Sequence, residues 1–356
     1  MANIDILTLA DEAEWLALLE QIPARGLGHY PRFARVYEEK GDGLAECFVY
    51  REGSLLALYP YIRRPVSRLA FIGEHFGDYS DIVTPYCYGG HIHNAPENRA
   101  AEFVKALRNA FDAHARETGV VSEFVRFHPL LQNQAGCKGM FDHFFLHRDN
   151  IVVDSRRNEE ALFRQCRPTF RRSIKKARRN GLEFEAVSPE DMGETFATLY
   201  GKTMTRHNQT GYLNFGPDFF RILFRNLKAD CRLFAVRGEK HVIAAALFLE
   251  YGGTMDYFLG ASDREFFSLF PNHLIMHGVT CWAHDRGIET VHLGGGRKSL
   301  YFFKSGFSKK TVPFYVGHTV HDSDTYRGLM EERRKKSSGL PHGDSGFFPA
   351  YRGGLE

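Results

Sequence analysis

The sequence predicts an α/β (α+β) protein built as two tandem domains, each a mixed, mostly antiparallel sheet flanked by helices. Three observations predict it. A chain of 356 residues exceeds one small core and suits two domains of ordinary size. Its 43% hydrophobic and 25% charged residues are those of a globular protein. The order of elements also repeats. Each half reads as helices, an antiparallel meander, a long helix and then a strand.

The elements follow from local pattern. Residues 11–20 and 30–39 read as helices, with Asp11 expected to cap the first and Glu14 in the capping-box position. Residues 45–51 and 54–62 flank Glu52–Gly53, a hairpin signal. Short strands are expected at 67–73 and 80–84. A helix from about Glu97 to Thr118 stops at Gly119, and residues 120–129 form a buried strand ended by Pro129. In the second half a strand at 150–154 precedes helices at 158–180, 188–206 and 217–228. Three strands at 231–237, 241–250 and 253–260 are joined by tight turns. A helix at 271–286 ends at Gly287, and 288–294 is a strand. From Glu331 the composition turns to charge, Gly, Ser and Pro, which predicts a largely disordered tail on which Phe347–Phe348 can still dock.

Several classes are excluded or disfavoured. The 46 basic and 43 acidic residues nearly cancel. Six cysteines without a CxxC pair predict reduced thiols and no zinc site. The acidic start MANIDILTLADEAEW is unlike a signal peptide, and no stretch approaches the roughly 20 apolar residues of a membrane helix. A cytoplasmic protein is expected.

Charge is concentrated in one place. RQCRPTFRRSIKKARR (164–179) has eight basic residues in sixteen and no acid. On a helix from about Thr169, Arg171, Lys175 and Arg178 line one face and Arg172, Lys176 and Arg179 the next, while Ile174 and Ala177 face the core. Like charges at this spacing repel, which suits either a solvated face or a phosphate-binding one. A second feature is LGGGRKSLYFFKSGFSKK (293–310). Its GGGRKS fails the spacing of a phosphate loop. Lys304, between Phe302–Phe303 and Phe307, either snorkels to solvent or is held where negative charge develops.

RPTFRRSIKKARRNGLEFE, TMTRHNQTG, LFAVRGEKHVIAAALFLEYGGTMDYFLGAS and HLGGGRKSLYFFKSGF together resemble the second domain of the Fem family, in its compact FemX-like form. HYPRFARVYEE and EFVRFHPLL resemble the first domain more weakly. The resemblance reaches to about residue 328. It implies two GNAT-like domains, at 1–148 and 149–320, with 321–356 returning to the first. It implies transfer of an amino acid from aminoacyl-tRNA to an amine acceptor, with no metal and no cofactor. By it, Lys304 faces the reacting ester, the residues from Arg171 to Arg179 face the tRNA, and Arg32 and Arg35 lie near the grip on the acceptor. The family's acidic residue is replaced in Arg126-Phe127-His128-Pro129, where His128 is either a base or a core histidine. Asp78, Tyr86 and Tyr257 are further candidates for substrate contact, against readings as a turn cap and core aromatics.

Two other function classes compete. An acyl-CoA-dependent GNAT N-acyltransferase needs a glycine-rich junction before the helix at 271, but ASDREFFSLFPN (261–272) has no glycine. A non-catalytic nucleic-acid-binding protein would leave Lys304 unexplained.

Overall fold

A computed structural model describes residues 2–72, 76–208, 211–239, 241–336 and 347–353. The chain divides into two compact units, Met1–His147 with Phe314–Glu356, and Arg148–Pro313.

The first unit starts with β1 (Ala2–Thr8), which pairs antiparallel with β2 (Leu44–Glu52). The first cap lies earlier than expected. Asp11 accepts the Thr8 N–H at 3.0 Å and the Thr8 hydroxyl at 2.9 Å, and Thr8 accepts the Ala10 N–H. A short 3-10 turn therefore precedes α1 (Glu12–Leu19), and Asp11 makes no side-chain cap to α1. Helix α2 (Pro31–Lys40) has proline at its first turn and ends at Gly41, whose φ of 92° closes it in the left-handed region. Strands β2 and β3 (Leu55–Pro65) form the expected hairpin. The segment expected as a strand at 67–73 is instead a 3-10 turn at Val66–Arg68, and residue 73 lies outside the described residues. Pro65 ends the ladder because it has no N–H to donate.

Strand β4 (Ser80–Val83) pairs antiparallel with β3, as does the short β5 (Ile92–His93). Helix α3 (Glu97–Glu117) leads into β6 (Val120–Arg126), parallel to β4. Phe48, Tyr59, Leu107, Phe111 and Val125 fill the space between α3 and the sheet.

The tail is more ordered than its composition predicts. Helix α10 (Ser323–Lys336) runs through Glu331, and Leu329 and Tyr351 are fully buried with Val66 and Val121. Phe348 stacks on His318 at 4.1 Å. Apolar and ionic anchors at its two ends outweigh the polar composition between them; residues 337–346 lie outside the described residues.

Strands β7 (His143–Asp154) and β13 (Thr311–Val320) carry the chain from one unit to the other. Helices α4 (Glu159–Gln165) and α5 (Pro168–Arg179) replace the single helix expected over 158–180. Pro168 forces Arg167 into an extended backbone (φ −50°, ψ 142°), which breaks the helix and restarts it with proline in the first turn. Next come β8 (Glu183–Val187), α6 (Pro189–Arg206), α7 (Pro217–Asn226), and the meander β9 (Cys231–Gly238), β10 (His241–Tyr251) and β11 (Thr254–Ser262). Helix α8 (Pro271–Asp285), β12 (Thr290–Gly294) and α9 (Lys298–Lys304) complete the unit. Its strand order is β7-β12-β11-β10-β9-β8, with only β11 and β12 parallel. Ile174 and Ala177 of α5 and Val279 and Ala283 of α8 are fully buried over it. Burying a side chain the size of Ile174 is worth roughly 1.5–3 kcal/mol.

Candidate active site

Strands β11 and β12 pair over three residues only, ending at Asp256 opposite His292. Beyond that point they part. The chain then runs through Gly294 (φ 70°), Gly295 and Gly296 (φ 130°). These positions demand glycine for two reasons. Gly294 and Gly296 occupy backbone angles that L side chains avoid. A side chain at Gly295 would come within 2.5 Å of Arg148 Cδ and 2.8 Å of Asn150 Oδ1. Arg148 Nη1 donates to the Gly296 carbonyl at 2.8 Å and steadies the loop.

Lys304, the last residue of α9, reaches back to this loop. Only 5% of it is exposed, so it does not snorkel. Its ammonium donates to the Gly295 carbonyl at 2.8 Å and lies 4.6 Å from the centre of the Tyr257 ring. A buried ammonium is costly unless partnered, and a carbonyl dipole and an aromatic face offset that cost. Burial pushes the Tyr257 phenol up to about 12, so it stays neutral at pH 7. Its hydroxyl lies directly over Gly260, where a Cβ would be only 2.0 Å away.

The basic helix adjoins this segment. The Phe170 ring packs on Phe303 at 5.6 Å and on Phe307 at 5.2 Å. Arg167 donates its N–H to the Gly306 carbonyl at 2.7 Å and its side chain to Ser305 Oγ at 3.3 Å. Its guanidinium covers the ring of Phe302, which is 62% exposed.

The six basic residues of α5 differ in their surroundings. Arg171 is half-buried and donates to the Arg164 and Cys166 carbonyls at 2.7 and 3.1 Å, tying α5 to the end of α4. Arg178 meets Glu159 at 3.5 Å. Lys175 lies over Phe163 and Lys176 over Phe270. Arg172, Lys175, Lys176, Arg178 and Arg179 are all exposed. Lys176, Arg178 and Arg179 stand in the last turn, where the helix dipole favours cations and relieves part of their mutual repulsion.

The other predicted residues lie in the first unit. His128 is buried, accepts the Leu131 N–H on Nδ1 at 3.3 Å, and stands 5.8 Å from the Tyr88 ring and 6.4 Å from that of His29. Asn133 binds this region together: its side chain accepts the His128 N–H and donates to the Gly89 and His91 carbonyls, each at 2.8 Å. Tyr86 belongs to the same loop, and its carbonyl accepts from Tyr37 Oη of α2 at 3.3 Å. Arg32 stacks on Tyr30 at 4.1 Å and Arg35 pairs with Glu12 at 2.5 Å, both from α2. Asp78 is exposed in the turn before β4, its carbonyl beside Gly119.

Sequence reasoning missed the buried polar residues around these sites. His29 and His91 are buried and held neutral, with burial depressing them to about 4 and about 3. In the second unit Asp256, His292 and Asn150 form a row. Asp256 Oδ1 lies 2.6 Å from His292 Nδ1, and His292 Nε2 lies 3.1 Å from Asn150 Nδ2. For this row, isolated polar residues inside β strands were the signal.

Between β11 and α8, where a glycine-rich phosphate loop would sit, the chain forms a 3-10 turn at Arg264–Leu269. Phe270 then starts α8 at φ 64°.

Residues 164–305 match the family described as Acetyltransferase (GNAT) domain. Among solved structures the chain is similar to FemX, with a TM-score of 0.67 and 15% identity, over 93% of this chain and 100% of that one. The fold is a FemX-like tandem GNAT. A tandem GNAT protein from the clavulanic acid biosynthesis pathway shares this tandem GNAT architecture at a TM-score of 0.53 and 9% identity, over 89% of this chain and 98% of that one. The C-terminal domain of a putative lysylphosphatidylglycerol synthetase from Agrobacterium fabrum aligns at 0.52 and 16% identity, over 94% and 98%. No curated protein sequence matches at a significant level. Among the described residues of this tandem GNAT, no helix is long and apolar enough to cross a membrane.

Proposed function

We propose that this protein is an acyltransferase of the GNAT/Fem type that moves an amino acid from aminoacyl-tRNA to an amine, forming an amide. One observation carries the reading: the basic helix α5 abuts, through Phe170 and Arg167, the segment that holds Lys304 beside the loop that follows the end of β11–β12 pairing. A polyanion lying along α5 would bring its end toward that lysine.

The chemistry needs little more. The acceptor amine attacks the ester carbonyl, a C–N bond forms, and the carbonyl oxygen gains negative charge. The C–O bond to the terminal ribose then breaks; the amine loses a proton and the ribose oxygen regains one. The ester is already activated, so positioning and stabilisation of the oxyanion are the main requirements. The Lys304 ammonium supplies that stabilisation in this scheme. Tyr257 keeps its phenol proton and presents its ring to the lysine. On this reading His128 is the base for the acceptor amine, and Arg32, Arg35, Asp78 and Tyr86 contact the acceptor. The acceptor is a peptidoglycan precursor, or a small amine or peptide, in the cytoplasm.

The Acetyltransferase (GNAT) match favours a second reading, an acyl-CoA donor. The glycine-free junction before α8 argues against it, because backbone amides on such a loop cradle a pyrophosphate. Radiolabelled aminoacyl-tRNA, incubated with the protein and candidate amines, tests the choice. Amide products that vanish in Lys304→Ala support the first reading. Thermal stabilisation by acetyl-CoA, with no response to tRNA, overturns it.

A further inference from the structure

Lys304 is held by a backbone carbonyl, so whatever holds that carbonyl also sets the position of the ammonium. The Gly295 carbonyl lies on a loop of three glycines with no side chains of its own to anchor it. Its anchors come from neighbouring strands. Arg148 bonds the Gly296 carbonyl, and the Asn150 side chain packs on the Gly295 Cα so closely that no Cβ fits between them.

Asn150 is itself fixed. Its side chain is fully buried on β7, with Nδ2 3.1 Å from His292 Nε2. An amide NH₂ only donates, so His292 Nε2 accepts and its proton sits on Nδ1. That proton faces Asp256 Oδ1 at 2.6 Å. His292 is 1% exposed and Asp256 9%. The row crosses three strands, β11, β12 and β7, with Asp256 directly opposite His292 and Asn150 two residues along β7 from Val152, the partner of His292. It falls where β12 shifts register against β7, between His292 and Gly294, and where β11 and β12 cease to pair. Its other end bears on Lys304 through the chain, because Tyr257, next to Asp256, offers the ring that lies 4.6 Å from the ammonium.

We infer that Asp256, His292 and Asn150 are positioning residues that hold the Gly295 carbonyl and the Tyr257 ring in register, and thereby place the Lys304 ammonium. The row does not touch substrate. It acts through Lys304, and its importance for turnover rests on the reading that Lys304 faces the reacting ester. A hydrogen-bonded row is suited to this task, because each bond is directional and a shift of about 1 Å in a reacting group can cost roughly a hundredfold in rate. Apolar packing alone would leave the glycine loop free to slide.

The test reads Lys304 directly and needs no substrate. The protein is acetylated with limiting acetic anhydride, and the modification of Lys304 is measured by peptide mass spectrometry against that of the exposed Lys309. Asn150→Ala and Asp256→Ala should raise the Lys304:Lys309 ratio at least threefold, because the ammonium loses its fixed partner. Asp256→Asn keeps an oxygen acceptor for His292 Nδ1 and should stay within 1.5-fold of the wild type. A cooperative thermal melt certifies the fold of each variant. Should either truncation fail to fold, Asn150→Ser removes the amide donor at smaller cost in volume, with the same expected rise. Ratios unchanged in the folded truncations overturn the proposal and reduce the row to core hydrogen bonding. Failure of the tRNA reading would leave these ratios as expected and abolish only the transfer assay, so the two failures are distinguishable.

Discussion

Arg352 donates through Nε to Asp81 at 2.6 Å, joining positions 271 residues apart. Asp81 is fully buried and also accepts from Arg64 Nε at 2.6 Å and from Tyr351 Oη at 3.0 Å. Three donors on one carboxylate hold the last described segment against β4. Truncating Arg352 to Ala leaves Arg64 and Tyr351 on Asp81 but removes the Nε bond and the longer bonds that Nη2 gives to the Arg64 and Pro65 carbonyls at 3.3 and 3.4 Å, so the loss should be about 2–3 kcal/mol. Urea denaturation checks it. A change below about 0.5 kcal/mol would mean that the other contacts of the segment, among them Tyr351 on Asp81 and the Ala350 N–H on Tyr326, hold it without Arg352.

Lys304→Ala should lower amide formation by about a hundredfold or more, the usual effect of removing one oxyanion-stabilising group. Lys304→Arg should not rescue it, since a planar fork cannot occupy the space of a compact ammonium between the Gly295 carbonyl and the Tyr257 ring. Single-turnover rates with preformed aminoacyl-tRNA measure both.

The combined variant Arg172→Ala, Lys175→Ala and Arg179→Ala should weaken tRNA binding and flatten its salt dependence by roughly 2–3 units of log–log slope. Arg171 is left out because it ties α5 to α4, and its loss would mix folding with binding. Filter binding from 50 to 200 mM salt reads the slope. An unaltered slope would remove α5 from the tRNA surface.

Gly306→Ala should destabilise the second unit by about 1–3 kcal/mol, the usual cost of overpacking. The added methyl would fall 2.1 Å from the Phe170 ring, which is buried and cannot swing aside. The thermal midpoint would fall. An unshifted midpoint would show that α5 and α9 adjust to each other freely.

Acid should destabilise the first unit through His29. Its folded-state pKa is depressed to about 4 from an ordinary 6.5, because the buried ring resists charging. The unfolded chain binds the proton first, so this contribution is present in full above pH 6.5 and is lost as the pH falls toward 4, to a total of about 3 kcal/mol. Denaturation between pH 7.5 and 4.5 should show a steeper loss in the wild type than in His29→Asn. Equal slopes would contradict the burial of an uncharged ring.

Local sequence determined much of this protein. The hairpin of β2 and β3, the meander of β9, β10 and β11, and the one-sided charge of α5 follow from alternation, turn residues and 3.6-residue periodicity, which are properties of neighbours along the chain. Ile174 and Ala177 face inward because helical spacing puts them opposite the charges. Strands β1 and β13 were not legible; each gains its identity from partner residues far away in sequence, as Ile4 does from Tyr50 and Val316 from Arg126.

For the candidate site, sequence marked Lys304 through its aromatic neighbours but not its state. Only the tertiary structure brought the Gly295 carbonyl and the Tyr257 ring to its ammonium, because a strand, a loop and a helix must meet before that charge has partners. The same holds for Asp256, His292 and Asn150, which are scattered over 143 positions and become a row only when β11, β12 and β7 lie side by side. Periodicity reports which face a residue takes, and hydrogen bonds across strands depend on register, which the assembled sheet alone decides.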